Sequence, residues 1–264
     1  MINYISRFAG KTGYKFLYYL NDILSLSGLL YRILKIFVTG SYKGKKIVRV
    51  VIIEQIYFTA VQALWLIIPI ALIIGTVFFL QFSKIASQYD FGKIAVVVLM
   101  RETGPIVAAV LVILRSATAV TIEIGYMNVG KEMDFIQMSG VDPIALICIP
   151  RLVGITSAIL CLFLVFDFVA VFGGYIVAWA MSDLSLSRFL GMLGRSITIG
   201  DTFAVLFKAL SFGIIISVIS IFRGFEVKKS LNEIPVKTSK SAVESFFYCF
   251  LFNILISILF SIIG

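Results

Sequence analysis

Arg101-Glu102-Thr103-Gly104-Pro105 sets two opposite charges beside a helix-disrupting dipeptide, inside an apolar run (94–122) whose only other charge is Arg115. Placing a charge within lipid costs several kcal/mol, so such groups face a cavity or a partner. Pro105 has no N–H, so the carbonyl of Arg101, four residues earlier, loses its helical donor. The pattern predicts a kink or break at this point. It suits a polar spot in a substrate cavity, and equally an Arg–Glu pair locking helices together; the two are compatible. Asp167 lies midway along the otherwise uncharged stretch 152–182. It reads as a functional carboxylate, as the partner of Lys208 or Arg101, or as the cap of a helix break near Gly173-Gly174. Phe78, Phe79, Phe82 and Tyr89 cluster at one end of an apolar run, where interfacial aromatics are common.

A fourth candidate runs from Asn128 to Pro143. Val129, Met133 and Ile136 share one helical face, while Lys131, Glu132, Asp134 and Gln137 fill the rest. Gly140 stops this helix, and Asp142 caps the next, with Pro143 at its first position. The result is a short helix between two apolar spans, either a solvated connector or an element that a soluble partner can push. Exposed methionines along it, Met138 among them, favour an adaptable docking surface.

Other chemistries are missing. Histidine is absent, which removes imidazole bases and His-ligated metals, and Cys148, Cys161 and Cys249 sit in apolar runs without metal-ligand spacing. Gly10-Lys11-Thr12 resembles the end of a phosphate loop, but Ile5 stands where the loop needs glycine. No zinc-protease or serine-hydrolase signature occurs. An intramembrane lipid enzyme is therefore disfavoured. A proton-coupled carrier using Asp167 and Glu102 would call for inverted repeats, and none is visible.

The elements that position these residues follow from composition. Of 264 residues, 60% are hydrophobic and 14% charged, with a mean hydropathy of +1.06. Soluble domains carry about a quarter charged residues. The net charge of +9 falls between long apolar runs, a membrane pattern rather than a nucleic-acid-binding one. A bilayer core of ~30 Å needs about 20 helical residues. Spans are expected near 62–83, 94–122, 152–182, 202–222 and 245–264, giving an all-α membrane protein with five transmembrane helices. Alternating the segments between them places seventeen Lys and Arg on one side and four on the other. The positive-inside rule then makes the N-terminus cytoplasmic and the C-terminus periplasmic. Residues 1–20 show no cleavable-signal pattern.

Segment 1–53 is read as a cytoplasmic or interfacial N-terminal segment, and 54–264 as the transmembrane domain. Asp22 can open a helix in which Leu26, Leu29, Leu30, Ile33, Leu34 and Phe37 recur at helical spacing, with Arg32 and Lys35 opposite. This predicts an amphipathic helix lying in the membrane interface; a small cytoplasmic core is the alternative.

The stretch Arg101-Glu102-x-Gly104-Pro105, then Arg115-Ser116-Ala117, Glu123-Ile124-Gly125-x-Met127, Val141-Asp142-Pro143, Pro150-Arg151, Gly173-Gly174 and Phe222-x-Gly224 resembles the MlaE/YrbE permease family. That resemblance implies the membrane subunit of an ABC transporter moving phospholipid or a related lipid between inner and outer membranes. It implies a homodimer in a cell inner membrane and a separate ATPase that holds the ATP and magnesium, with no cofactor on this chain. An MCE-domain substrate-binding protein would dock outside, and a STAS-domain protein could join the ATPase. A lipid cavity between the two copies would be lined by Phe78, Phe82, Ile85 and Tyr89, with Arg101 and Glu102 close by. Segment 128–143 would be the coupling helix, meeting the ATPase through Lys131, Glu132, Met133, Asp134, Ile136, Met138 and Asp142.

Overall fold

A computed structural model describes residues 2–39, 45–85, 98–182, 187, 191, 194 and 199–263, apart from 229. Every regular element among them is helical. Helix α1 covers Ile2–Thr39, α2 Lys45–Thr59 and α3 Leu64–Ile85. After them come α4 (Gly104–Val112), α5 (Thr118–Val129), the short α6 (Glu132–Met138), α7 (Ile149–Ser182), α8 (Ile199–Phe225) and α9 (Glu233–Ile263). Five stretches are long and apolar enough to cross a membrane: Lys45–Gln81, Leu99–Val129, Ile144–Ile176, Gly200–Phe225 and Glu233–Phe260. The chain is thus an all-α membrane protein with five candidate spans.

Two boundaries differ from the sequence expectation. Helix α1 starts at Ile2, so Asp22 is not an N-cap but a mid-helix residue whose carboxylate pairs with Arg223. Helix α9 starts at Glu233, ahead of the charge-free run at 245, because Lys237, Lys240 and Glu244 find ion-pair partners along its first turns. The expected apolar face of α1 is only partly used. Ile33 is buried, while Leu34 and Phe37 remain exposed.

The fourth span is the most enclosed, with 61% of its apolar window buried, against 22% for the first and the fifth. The first span lies along the third, and the fifth along the fourth and second. Close contact between the first and third spans rests on glycines. A Cβ at Gly75 would strike the Ala170 backbone, and one at Gly173 would lie 3.2 Å from the Leu72 carbonyl oxygen. Helix α7 runs unbroken through Gly173-Gly174. These glycines admit a neighbour rather than break the helix, so Asp167 caps no break.

Three π-helical turns interrupt the α-helices, at Leu99–Thr103, Ile113–Ala117 and Ile144–Cys148. The first answers the Pro105 problem. The Gly104 N–H reaches back five residues to the Leu99 carbonyl, and the chain continues as α-helix. The expected break is therefore a local widening of one turn.

Candidate functional site

The freed Arg101 carbonyl does not go unsatisfied. Lys208 Nζ donates to it at 3.3 Å. The same fully buried ammonium donates to Glu102 Oε2 at 2.8 Å and to Ser257 Oγ at 2.7 Å, using all three of its protons. Glu102 also accepts from Asn253 Nδ2 at 3.1 Å and from Ser257 Oγ. Arg101 Nη1 donates to Asp201 Oδ1 at 3.0 Å, and its Nε stands 3.8 Å from Glu102 Oε1. The Arg–Glu pair thus ties the second span to the fourth and fifth.

Asp167 joins neither cation. It is 5% exposed, and its Oδ1 is buried without a hydrogen-bond partner. It abuts Gly104, where a Cβ would collide with Oδ1. The cavity that contains both Asp167 and Arg101 measures about 170 Å³ and lies among the second, third and fourth spans. Phe78 and Phe79 are not among its described lining residues. Phe78 is partly buried against the core, and Phe79 packs where Gly174 leaves room. Phe82 and Ile85 fall on the last turns of α3, but their side chains lie outside the described set, and Tyr89 lies outside the described residues altogether.

The connector is built by short-range chemistry. Lys131 takes a left-handed backbone conformation (φ 57°) and turns the chain sharply out of the second span, so it is the hinge before α6 rather than part of its polar face. Such a conformation is uncommon for a residue with a side chain and costs of order 1 kcal/mol. Helix α6 ends as the sequence predicts. Gly140 has φ +74°, its N–H meets the Gln137 carbonyl at 3.0 Å, and the Val141 N–H meets that of Ile136 at 3.4 Å. Asp142 Oδ1 then accepts the Ile144 N–H at 2.9 Å, capping the third span. Asn128 anchors the other flank through the Phe225 carbonyl at 3.1 Å.

This clamp fixes which face of α6 looks away from the bundle. Glu132 and Asp134 are exposed and Ile136 is half-buried. Met138 is 83% exposed. Met133 is buried at 8%, which corrects the reading of it as an exposed methionine: it is the inward anchor. Sequence reasoning missed Phe135, 66% exposed and the largest apolar side chain on the outer face. Its position two residues after Met133 places it roughly opposite on a helix, a signal that was present in the spacing.

Sequence reasoning also missed Arg223, the unspecified residue in Phe222-x-Gly224. It is 1% exposed at the connector end of the fourth span. It pairs with Asp22 of α1, with Glu244 at 2.6 Å and with Glu226 at 2.8 Å. Lys237 reaches Glu226 at 2.7 Å, and Lys240 lies 3.7 Å from Glu244. Burial opposes the Glu226 carboxylate, but its bonds to Lys237 and Arg223 prevail and hold its pKa below the ordinary 4.5. Two further arginines tie neighbouring elements: Arg151 meets Glu123 at 2.7 Å, and Arg115 donates to the Phe58 carbonyl at 2.9 Å and to Gln62 at 2.6 Å.

A bundle of five apolar candidate spans, tied together by embedded ion pairs and carrying a capped amphipathic connector, is the architecture of an all-α membrane protein. The sequence profile of the MlaE permease matches residues 52–259, and the chain belongs to that family. It is 29% identical to a probable ABC transporter permease protein of Rickettsia prowazekii, over 79% of this chain and 82% of that one. It is 26% identical to the intermembrane phospholipid transport system permease protein MlaE of Haemophilus influenzae, over 78% and 82% of the two chains. It is also 23% identical to the chloroplast protein trigalactosyldiacylglycerol 1 of Arabidopsis thaliana, over 79% of this chain and 61% of that one.

Proposed function

We propose that this chain is the membrane subunit of an ABC transporter that moves phospholipid or a related lipid between an inner and an outer membrane, driven by ATP hydrolysis on a separate subunit. The family membership and the transport functions named for its relatives support this reading. The observation that carries it is α6. Seven residues are held rigidly between two spans, with Met133 locked inward and Phe135 and Met138 turned outward beside Glu132 and Asp134. An exposed apolar pair rimmed by acids suits a groove on a soluble partner. A push there passes through the capped ends into the second and third spans without being absorbed by a flexible loop.

In this reading two copies pair, and the first-span wall from Phe78 towards Phe82, Ile85 and Tyr89 contributes to an apolar lipid cavity between them. Arg101 and Glu102 stiffen the helices around it. The connector and the basic segments face the cytoplasm, as the distribution of Lys and Arg favours. The C-terminus then faces the periplasm, where an MCE-domain protein docks, while a STAS-domain protein joins the ATPase. ATP and magnesium belong to that ATPase.

Substituting Phe135→Asp together with Met138→Asp tests the coupling. The double variant should insert and remain monodisperse, because both positions are exposed. It should co-purify with at least about tenfold less ATPase, as expected for loss of interface anchors. An ATPase retained at wild-type stoichiometry overturns the reading. Met133→Asp is the contrasting control: it should destabilise the permease itself.

A further inference from the structure

The crevice holding Asp167 is walled by Phe163, Leu164, Val205 and Leu206 together with the Arg101–Asp201 ion pair, yet the buried Asp167 Oδ1, an acceptor, has no hydrogen-bond partner. Buried polar groups are ordinarily hydrogen-bonded, and an orphan asks what binds it. The two cations that the sequence offers to Asp167 are matched elsewhere, Lys208 by Glu102 and Arg101 by Asp201. Asp167 is the buried carboxylate left without a counter-ion among the described residues. The crevice opens sideways: Leu164 on its wall is 57% exposed, and the neighbouring Phe168 and Phe203 are 76% and 66% exposed. A site with largely apolar walls, a lateral mouth and an unmatched acid suits the cationic end of a lipid headgroup, whose ammonium would meet Asp167.

We propose that this lateral crevice binds the headgroup of an amine-bearing phospholipid, with Asp167 accepting from its primary ammonium. The inference deepens the lipid-transport reading by naming a headgroup class. The site is built within one chain, from the second, third and fourth spans. The apolar walls select a lipid over a free amine, since burying acyl methylenes there adds to the headgroup contact.

The test needs neither ATPase nor transport, so its failure is distinguishable from failure of the transport reading. Purified full-length protein is equilibrated in detergent with equimolar phosphatidylethanolamine and phosphatidylglycerol, and bound lipid is counted by native mass spectrometry. Wild type should enrich phosphatidylethanolamine about tenfold, the effect of one charge-assisted hydrogen bond. Asp167→Asn, nearly isosteric, should bring the ratio to within about twofold of unity. Leu206→Trp, which fills the crevice, should do the same. On wild-type protein, N-acetylated phosphatidylethanolamine should fail to compete, and free ethanolamine in excess should not displace the lipid. No enrichment in wild type, enrichment unchanged in Asp167→Asn, competition by the N-acetylated lipid or displacement by free ethanolamine each overturns the proposal.

Discussion

The fourth span carries two buried cations, Lys208 towards its middle and Arg223 at its connector end, and they are satisfied in different ways. Lys208 and Arg223 are fifteen residues apart in sequence, about 22 Å along the helix. Lys208 has one close carboxylate, Glu102, and completes its shell with a hydroxyl and a backbone carbonyl. Arg223 has three carboxylates, from α1, from α9 and from the turn after its own helix, and two of these are shared with lysines. Deep in lipid, where water cannot repair a vacancy, each partner is indispensable. At the basic end of the bundle, solvent and surplus charge make each partner replaceable. The first cluster fixes helices in one arrangement, whereas the second attaches α1 to the bundle by bonds that can be loosened singly.

That contrast is sharpest when one partner is removed from each cluster. Glu102→Gln leaves a fully buried ammonium without its counter-ion, and breaking a buried pair in this way costs about 3–5 kcal/mol. The double substitution Glu102→Gln with Lys208→Met should recover most of that loss, because the buried charge is gone. Thermal unfolding in nanodiscs measures both. A single variant no less stable than the double would mean that the lysine is not confined as described.

Asp22→Asn should do less, about 1–2 kcal/mol, because Glu226 and Glu244 still neutralise Arg223. Its effect should be local. A cysteine at Ile33, buried at 1%, should become reactive to a maleimide in this background while the spans stay intact. Equal labelling with and without the substitution would show that α1 is held by packing alone.

The number of spans and the two ends of the connector were legible in sequence, because both depend on short-range rules, whereas Met133, Lys131 and Phe135 were placed on the wrong face or passed over. A run of about 20 apolar residues makes a span, and Gly140, Asp142 and Pro143 place the helix stop and the next start within a few residues. The ion pairs were not legible. Glu102 meets Lys208 across 106 residues and Asp22 meets Arg223 across 201, separations that no periodicity encodes. The result was that Asp22 looked like a cap and Arg223 was only one of the Lys and Arg counted on the basic side. The orphaned carbonyl of Arg101 was readable from Pro105, but the residue that fills the gap was not. Asp167 reversed the expectation, since sequence offered it two cations and folding gave both to other acids.

The smallest effect concerns acid, and it acts through Glu226, which lies just beyond the fourth span. Glu226 has a folded pKa depressed below its ordinary 4.5, so it contributes stability above that value that fades as pH falls through the lower folded pKa. Cooling this carboxylate's charge by protonation releases both Lys237 and one of the three acids on Arg223, and thereby weakens the hold on α1 indirectly. Melting temperatures recorded from neutral pH down to about pH 3.5 should therefore show a shallow acid limb in the wild type. Glu226→Gln should melt lower at neutral pH and follow a flatter limb, since the titrating group has been removed. The maleimide reaction at Ile33→Cys should rise over the same range in the wild type and change less in the variant. Identical acid limbs would place the titration elsewhere than Glu226.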